Sequence, residues 1–310
     1  MSSKSKVIAD CGNLSLDISN LICKFLILKP INKQIACSRF VFSGIRDGKI
    51  LVSNKNHYHH SNRTDFVSVS ADGRICAALH SDGTFEVLLK NMDRKLFVWK
   101  YYSPDDRFVN ITAVNEDVIA IRSDGSIKSM KKGEMKKKGF VMFTRGTSIL
   151  YENVIGLRDN GTIEYLDLSD SDNFLRSSND NLPKGSDYVS IASGWSHILT
   201  LKADGTLYSK VFTSTDEYRV ISDTPKGDNF IAIDACYHNS AALTDGGIIY
   251  LWGNYNRYCK MEEIVTKNCI DIAISDRAIV GLISDGNIII YLLSDTRDKH
   301  GSRIIGSYKF

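Results

Sequence analysis

A glycine corner that returns seven times limits what this chain can fold into. Asp47-Gly48, Asp82-Gly83, Asp124-Gly125, Asn160-Gly161, Asp204-Gly205, Gly246-Gly247 and Asp285-Gly286 follow one another at steps of 35, 42, 36, 44, 42 and 39 residues, first residue to first residue. Such dipeptides between two apolar runs are the strongest local sign of a β-hairpin. A period of this size marks a solenoid, a propeller or an array. Asp72-Gly73 lies off the spacing and is expected to be an ordinary turn between strands.

The flanks obey the same ruler. Four residues before each corner stand Ser43, Ala78, Ala120, Gly156, Thr200, Ala242 and Gly281, all small. The positions on either side are apolar, as in Ala77 and Leu79, Ile119 and Ile121, or Leu199 and Leu201, with Gly44 the one departure. Three residues past the corner come Ile50, Phe85, Ile127, Ile163, Leu207, Ile249 and Ile288. Apolar neighbours around a small residue predict a strand buried on both faces. The small side chain predicts crowding between adjacent sheets, as near a propeller axis. The expected fold is therefore all-β, a seven-bladed β-propeller of short four-stranded antiparallel blades. Its units would average about 44 residues, enough for four short strands.

Residues 34–310 are assigned to the ring and residues 1–33 to an N-terminal segment that closes it. In that segment Ile18, Leu21, Ile22, Phe25 and Leu26 have helical spacing after Asp17, a possible cap. The tail from Gly301 to Phe310 is expected to supply a last strand, and sharing one blade between the chain ends would remove open edges.

The chain has 310 residues, 43% hydrophobic and 24% charged with net charge +3, an ordinary globular composition that does not by itself imply nucleic-acid binding. No apolar run is long enough for a membrane helix, and the N-terminus lacks a secretory apolar core. Seven cysteines without a C-x-x-C point to reduced thiols and no zinc site, hence an intracellular protein, cytoplasmic or nuclear. His57, His59 and His60 lie in a polar stretch with no fourth ligand at metal spacing, so an exposed loop and no metal are expected.

Two stretches are candidate partner-binding sites. Trp99, Tyr101 and Tyr102 with Asp105 and Asp106 make an aromatic-acidic patch if exposed, or the end of a buried strand. Lys131, Lys132, Lys136, Lys137 and Lys138 against Glu134 form the one marked basic run. It suits phosphates or an acidic partner, and a solvated hairpin tip is its plainer reading. Residues 169–186 are a long loop of turn-forming residues.

The phrase G-W-S-H-I-L-T-L-K-A-D-G-T-L-Y at 194–208, with A-L-T-D-G-G-I-I-Y-L-W-G-N at 242–254, resembles the regulator of chromosome condensation family. That resemblance implies a seven-bladed propeller, a structural role for His197 in holding neighbouring backbone, and partners such as a small GTPase or a chromatin component. The histidine is not repeated: Phe40, Ile75, Asp117, Asn153, Asn239 and Ala278 hold its place elsewhere. Leu14, Asp17, Ile18, Ile22, Leu26, Cys37 and Phe40 are loosely similar to an F-box, which would dock a ubiquitin-ligase adaptor. No Trp-Asp dipeptide supports a WD repeat, and only Gly246-Gly247 supplies the diglycine of a kelch unit.

No nucleophile elbow, P-loop, H-E-x-x-H or paired-carboxylate motif occurs, so neither catalytic residue nor cofactor is expected. The expected function is a non-enzymatic protein-interaction scaffold. Guanine-nucleotide exchange, chromatin association and F-box adaptor activity are the alternatives, with nucleic acid a weakly supported ligand and no membrane partner.

Overall fold

The computed structural model describes residues 33–37, 42–54, 57–73, 75–90, 97–102, 107–114, 117–145, 153–167, 181–213, 216, 219–253, 261–276, 278–292 and 303–308. These residues form a β-propeller of small antiparallel sheets, seven among the described residues. In each, strands follow one another in chain order. The innermost strands are Ile35–Cys37, Phe66–Asp72, Phe108–Val114, Phe140–Arg145, Tyr188–Ser193, Phe230–Cys236 and Cys269–Ile274. Each lies against its successor and the last against the first, so the sheets, numbered 1 to 7 here, close into a ring. Sheets 4 and 5 differ from the four-stranded expectation, with three strands each among the described residues.

The core is distributed between sheets. Phe66, Val69, Cys76 and Ala78 of sheet 2 pack on Ile45, Ile50 and Val52 of sheet 1, and a like cluster fills each of the other six junctions. Alternate residues of each second strand serve opposite neighbours: Ala78 faces sheet 1, whereas Ala77 and Leu79 face sheet 3. This is why those strands are apolar without alternation. Gly156 is small for a more local reason. A Cβ there would stand 2.4 Å from the Phe140 ring of its own sheet.

Six inner strands carry a register shift at one place, leaving Val67, Val109, Val141, Val189, Ile231 and Ile270 as extra residues. A bulge there adds twist and re-aims side chains. Val67, Val141, Val189 and Ile231 thereby turn into the junctions as partial fillers.

The C-terminal strand Arg303–Tyr308 pairs with Ile288–Leu292 in sheet 7, while the first described strand belongs to sheet 1. The chain ends therefore do not share a sheet among the described residues; side-chain packing between Ile35, Cys37 and Ala273, Val280, Leu282 joins them instead. The predicted helix and the F-box-like positions before Cys37 lie outside the described residues, as does Phe40. Asp72-Gly73 is a turn between strands, as expected. His57, His59 and His60 are corrected from loop to strand, in His57–His60 at the outer edge of sheet 1.

Candidate functional site

Inner strands run from the face bearing the glycine corners to the opposite face, where loops lead into the second strands. The corner face is uniform. Gly48, Gly83, Gly125, Gly161, Gly205, Gly247 and Gly286 all have φ between 72° and 87°. At Gly205 a Cβ would stand 2.1 Å from the Asp228 carbonyl oxygen, and the Gly205 carbonyl accepts the Phe230 amide at 3.1 Å. The corner thus holds the first residue of the next sheet. The residue before the glycine locks the turn: Asp204 Oδ1 accepts the Thr206 amide at 2.9 Å and its hydroxyl at 2.7 Å. Asp82, Asp124, Asn160 and Asp285 accept corresponding amides. These bonds favour the charged form, so the Thr84 hydroxyl and then Arg63 hold Asp82 far below the usual carboxylate range.

The loop face is individual. Gly194 lies so close to sheet 6 that a Cβ would meet the Tyr237 carbonyl oxygen at 2.2 Å. That approach lets the Trp195 amide donate to the Tyr237 carbonyl. Trp195 is 40% exposed, stacks on His238 at 6° between planes, and meets Tyr237 edge-on at 5.4 Å. Tyr237 has φ 54°, left-handed backbone that a residue with a Cβ adopts at a cost. Beneath them His197 is fully buried, and its Nε2 lies 2.8 Å from Ser240 Oγ of the next sheet. Burial, reinforced by His238, pushes His197 down to about 3, so the ring is neutral. With the proton on Nε2, the ring donates to Ser240 and spans two sheets, a geometry consistent with a structural histidine. Trp252 performs a related task, donating from Nε1 to the Val220 carbonyl at 2.9 Å.

An axial channel of about 490 Å³ opens beside this aromatic group and is lined by all seven inner strands. Near the loop face Arg145 pairs with Asp72, and Tyr237 forms part of the wall. Toward the corner face Lys33 lies 3.2 Å from Asp234, whose Oδ2 also accepts the Ile274 amide at 2.9 Å. Asp271 accepts the Ile272 amide, and the Gln34 amide at 3.3 Å across the closing junction. Burial pushes Asp271 up to about 6 despite Lys33. Burial alone would lower Lys33, yet it is raised because Asp234 and Asp271 outweigh desolvation. Ser70 and Thr144 accept amides of Ala113 and Ser193 in the following sheets, so most polar groups here also stitch the ring.

The basic run is not merely a hairpin tip. Lys131 and Lys132 lie in the exposed turn on the loop face, but Lys136, Lys137 and Lys138 belong to Gly133–Lys138, the outermost strand of sheet 3. Lys137 donates to Glu164 of sheet 4, and Lys138 lies 3.7 Å from Asp124. Lys136 faces solvent on an outer strand, where lysine discourages pairing with other chains. Trp99, Tyr101 and Tyr102 lie on Phe97–Tyr102, the outer strand of sheet 2; their side chains, and Asp105 and Asp106 entirely, are outside the described residues. Among the described residues, the two candidate stretches lie at the outer strands of two different sheets, 2 and 3. The structure assembles Trp195, Tyr237, His238, Arg145 and Asp72, which sequence reading did not select as a site. The available signal was that Trp195 and Tyr237 each stand nine residues before their corner, putting aromatics in consecutive loops on one face. Among the described residues no group of histidine, cysteine and carboxylate side chains is arranged to hold a metal. No helix there is long and apolar enough to cross a membrane.

No protein-family model matches the chain, and no curated protein sequence does. Solved structures do. The ectodomain of the Arabidopsis thaliana receptor kinase ACR4, described as a CRINKLY WD40 domain, is 12% identical with a TM-score of 0.61, over 83% of this chain and 93% of that one. Kluyveromyces lactis Hsv2 is 10% identical with a TM-score of 0.56, over 89% and 98%. Prp20p of Saccharomyces cerevisiae, a regulator of chromosome condensation, is 14% identical with a TM-score of 0.54, over 73% and 72%. These likenesses establish one thing about this chain: it is a β-propeller.

Proposed function

We propose that this protein is a non-enzymatic interaction scaffold, a propeller of seven blades that binds a partner protein through its loop face. One observation carries the reading. Trp195 is held partly exposed against Tyr237, which lines the axial channel together with Arg145, and Trp, Tyr and Arg are the residue types that dominate binding energy at interfaces. The corner face uses its polar groups on itself; the loop face presents aromatic area over a rigid support. Propellers suit this use because loops from several sheets converge on one surface, an argument from fold analogy. The site of action is intracellular, cytoplasmic or nuclear, in keeping with the cysteine pattern.

The test is affinity capture from the native cell with wild type, Trp195→Ala and, as a control, Lys226→Ala, an exposed residue of the connection that leads to the corner-face start of Phe230–Cys236. A protein retained by wild type and Lys226→Ala but lost with Trp195→Ala supports the reading. Equal recovery with all three removes it. Prp20p has described binding properties toward Gsp1p and histones. Exchange on a small GTPase, with or without chromatin contact, is therefore the second reading. Acceleration of nucleotide release from a Ran-like GTPase, unaffected by Trp195→Ala, would put it first.

A further inference from the structure

The channel behind Trp195 has a charge imbalance that selects its visitor. Asp72, Asp234 and Asp271 line it against Lys33 and Arg145, three carboxylates to two cations. The arrangement is sequential. Arg145 is matched with Asp72 near the loop face, and Lys33 serves both Asp234 and Asp271 further in. The protein's own lysine reports the resulting potential: Lys33 is held in its charged form more firmly than in water although burial opposes it. An ammonium or guanidinium entering the same space meets Lys33 and Arg145 as well, and what draws it is the excess of one carboxylate in the lining. Its entrance is suited to a cation, because Tyr237 lines the wall and Trp195 stands beside it with part of its surface uncovered. Aromatic faces attract cations by about 0.5–2 kcal/mol. A cavity of about 490 Å³ is within the usual range for small-ligand sites and has room for one long side chain.

We infer that the axial channel takes up a cationic side chain, lysine or arginine, presented by a partner protein at the loop face, with Tyr237 lining the entrance, Trp195 packed against Tyr237, and Asp72 and Asp234 as counter-charges. This rests on the proposed interaction function and specifies the chemistry of its partner. An acidic side chain would instead meet three carboxylates, and an uncharged one would forgo the field. Lys131 and Lys132 lie on sheet 3, near the outer edge of the same face, and contact flanking parts of the partner rather than the inserted residue.

The experiment uses the full chain and fluorescein-labelled glycine-serine octapeptides that carry one central arginine, lysine, norleucine or glutamate, with binding read by anisotropy. Arginine and lysine peptides are expected to bind, norleucine at least ten-fold more weakly, and glutamate not at all. Trp195→Ala and Asp72→Asn are each expected to weaken the arginine peptide about ten-fold. Melting curves check folding, and Trp195→Phe replaces any Trp195→Ala protein that does not fold. Glutamate or norleucine binding as tightly as arginine overturns the inference, as does failure of all four peptides or indifference to both variants. If capture of a partner still depends on Trp195 when the charge series fails, the inference falls and the interaction function stands. If both fail, both fall.

Discussion

On the corner face, Asp82, Asp124, Asn160, Asp204 and Asp285 each hold the amide two residues ahead, and glycines of one backbone conformation lead into the next sheet. On the loop face, Trp195 leans on Tyr237 and His238 across a junction, and the connections between first and second strands differ in length and chemistry. Repetition at the corners is a structural solution used again in each unit, because every sheet must be started at the same distance and angle from the previous one. Variation among the loops is tolerated because loop geometry does not set the ring. Uniform chemistry marks where the fold is held, and departures from uniformity mark where binding is expected.

Corner glycines should therefore be the most sensitive positions. Gly205→Ala combines strained backbone with a Cβ 2.1 Å from the Asp228 carbonyl oxygen and is expected to cost about 3 kcal/mol, read as a lowered denaturant midpoint. Gly73 has φ 52° but nothing within 4 Å of a Cβ, so Gly73→Ala should cost only about 1 kcal/mol. Equal losses at both would show that the hand-over between sheets is not what the corner glycine provides.

Acid should next separate two buried groups. His197 titrates near 3 when folded and near 6.5 when unfolded, so between these values the unfolded chain binds more protons and stability falls as the pH is lowered. From pH 7 to pH 5 this amounts to about 2 kcal/mol. Asp271 works in the opposite sense. Its folded value of about 6 exceeds the ordinary carboxyl value of 3.8, so the folded chain binds more protons between them and acidification returns about 1 kcal/mol by pH 5. His197→Gln should flatten the acid loss, whereas Asp271→Asn should steepen it; unchanged pH profiles would refute both assignments.

Asp204→Ala removes two turn bonds at an exposed corner and should cost about 1 kcal/mol in thermal unfolding. The smallest effect on stability is expected at the loop face. Trp195→Ala should change it by about 0.5 kcal/mol while abolishing partner capture, because the ring is partly exposed and lies outside the apolar cluster that fills its junction. A large loss of stability there would make Trp195 a fold residue and erase the contrast between the faces.

Much of the architecture was legible because the repeat exposes its own rules. Asp-Gly and Asn-Gly prescribe positive φ, and the small residue four places earlier, flanked by apolar ones, prescribes a strand covered on both sides. The bulges were not legible: Phe66-Val67, Phe108-Val109 and Phe230-Ile231 look like continuous strand, and only the paired register shows that Val67, Val109 and Ile231 are extra. The lysine run misled because local charge says nothing of a partner such as Glu164, which arrives from the next sheet. The aromatic site escaped because Trp195 and Tyr237 are 42 residues apart in the chain and meet only at a junction.

Periodicity alone determined that this chain makes repeated sheets and where each turns, since those are contests between neighbouring residues over backbone conformation. Ring closure, the pairing of Lys33 with Asp234 and the approach of Trp195 to Tyr237 were decided by tertiary structure, because each joins residues that only the stacking of sheets brings within reach.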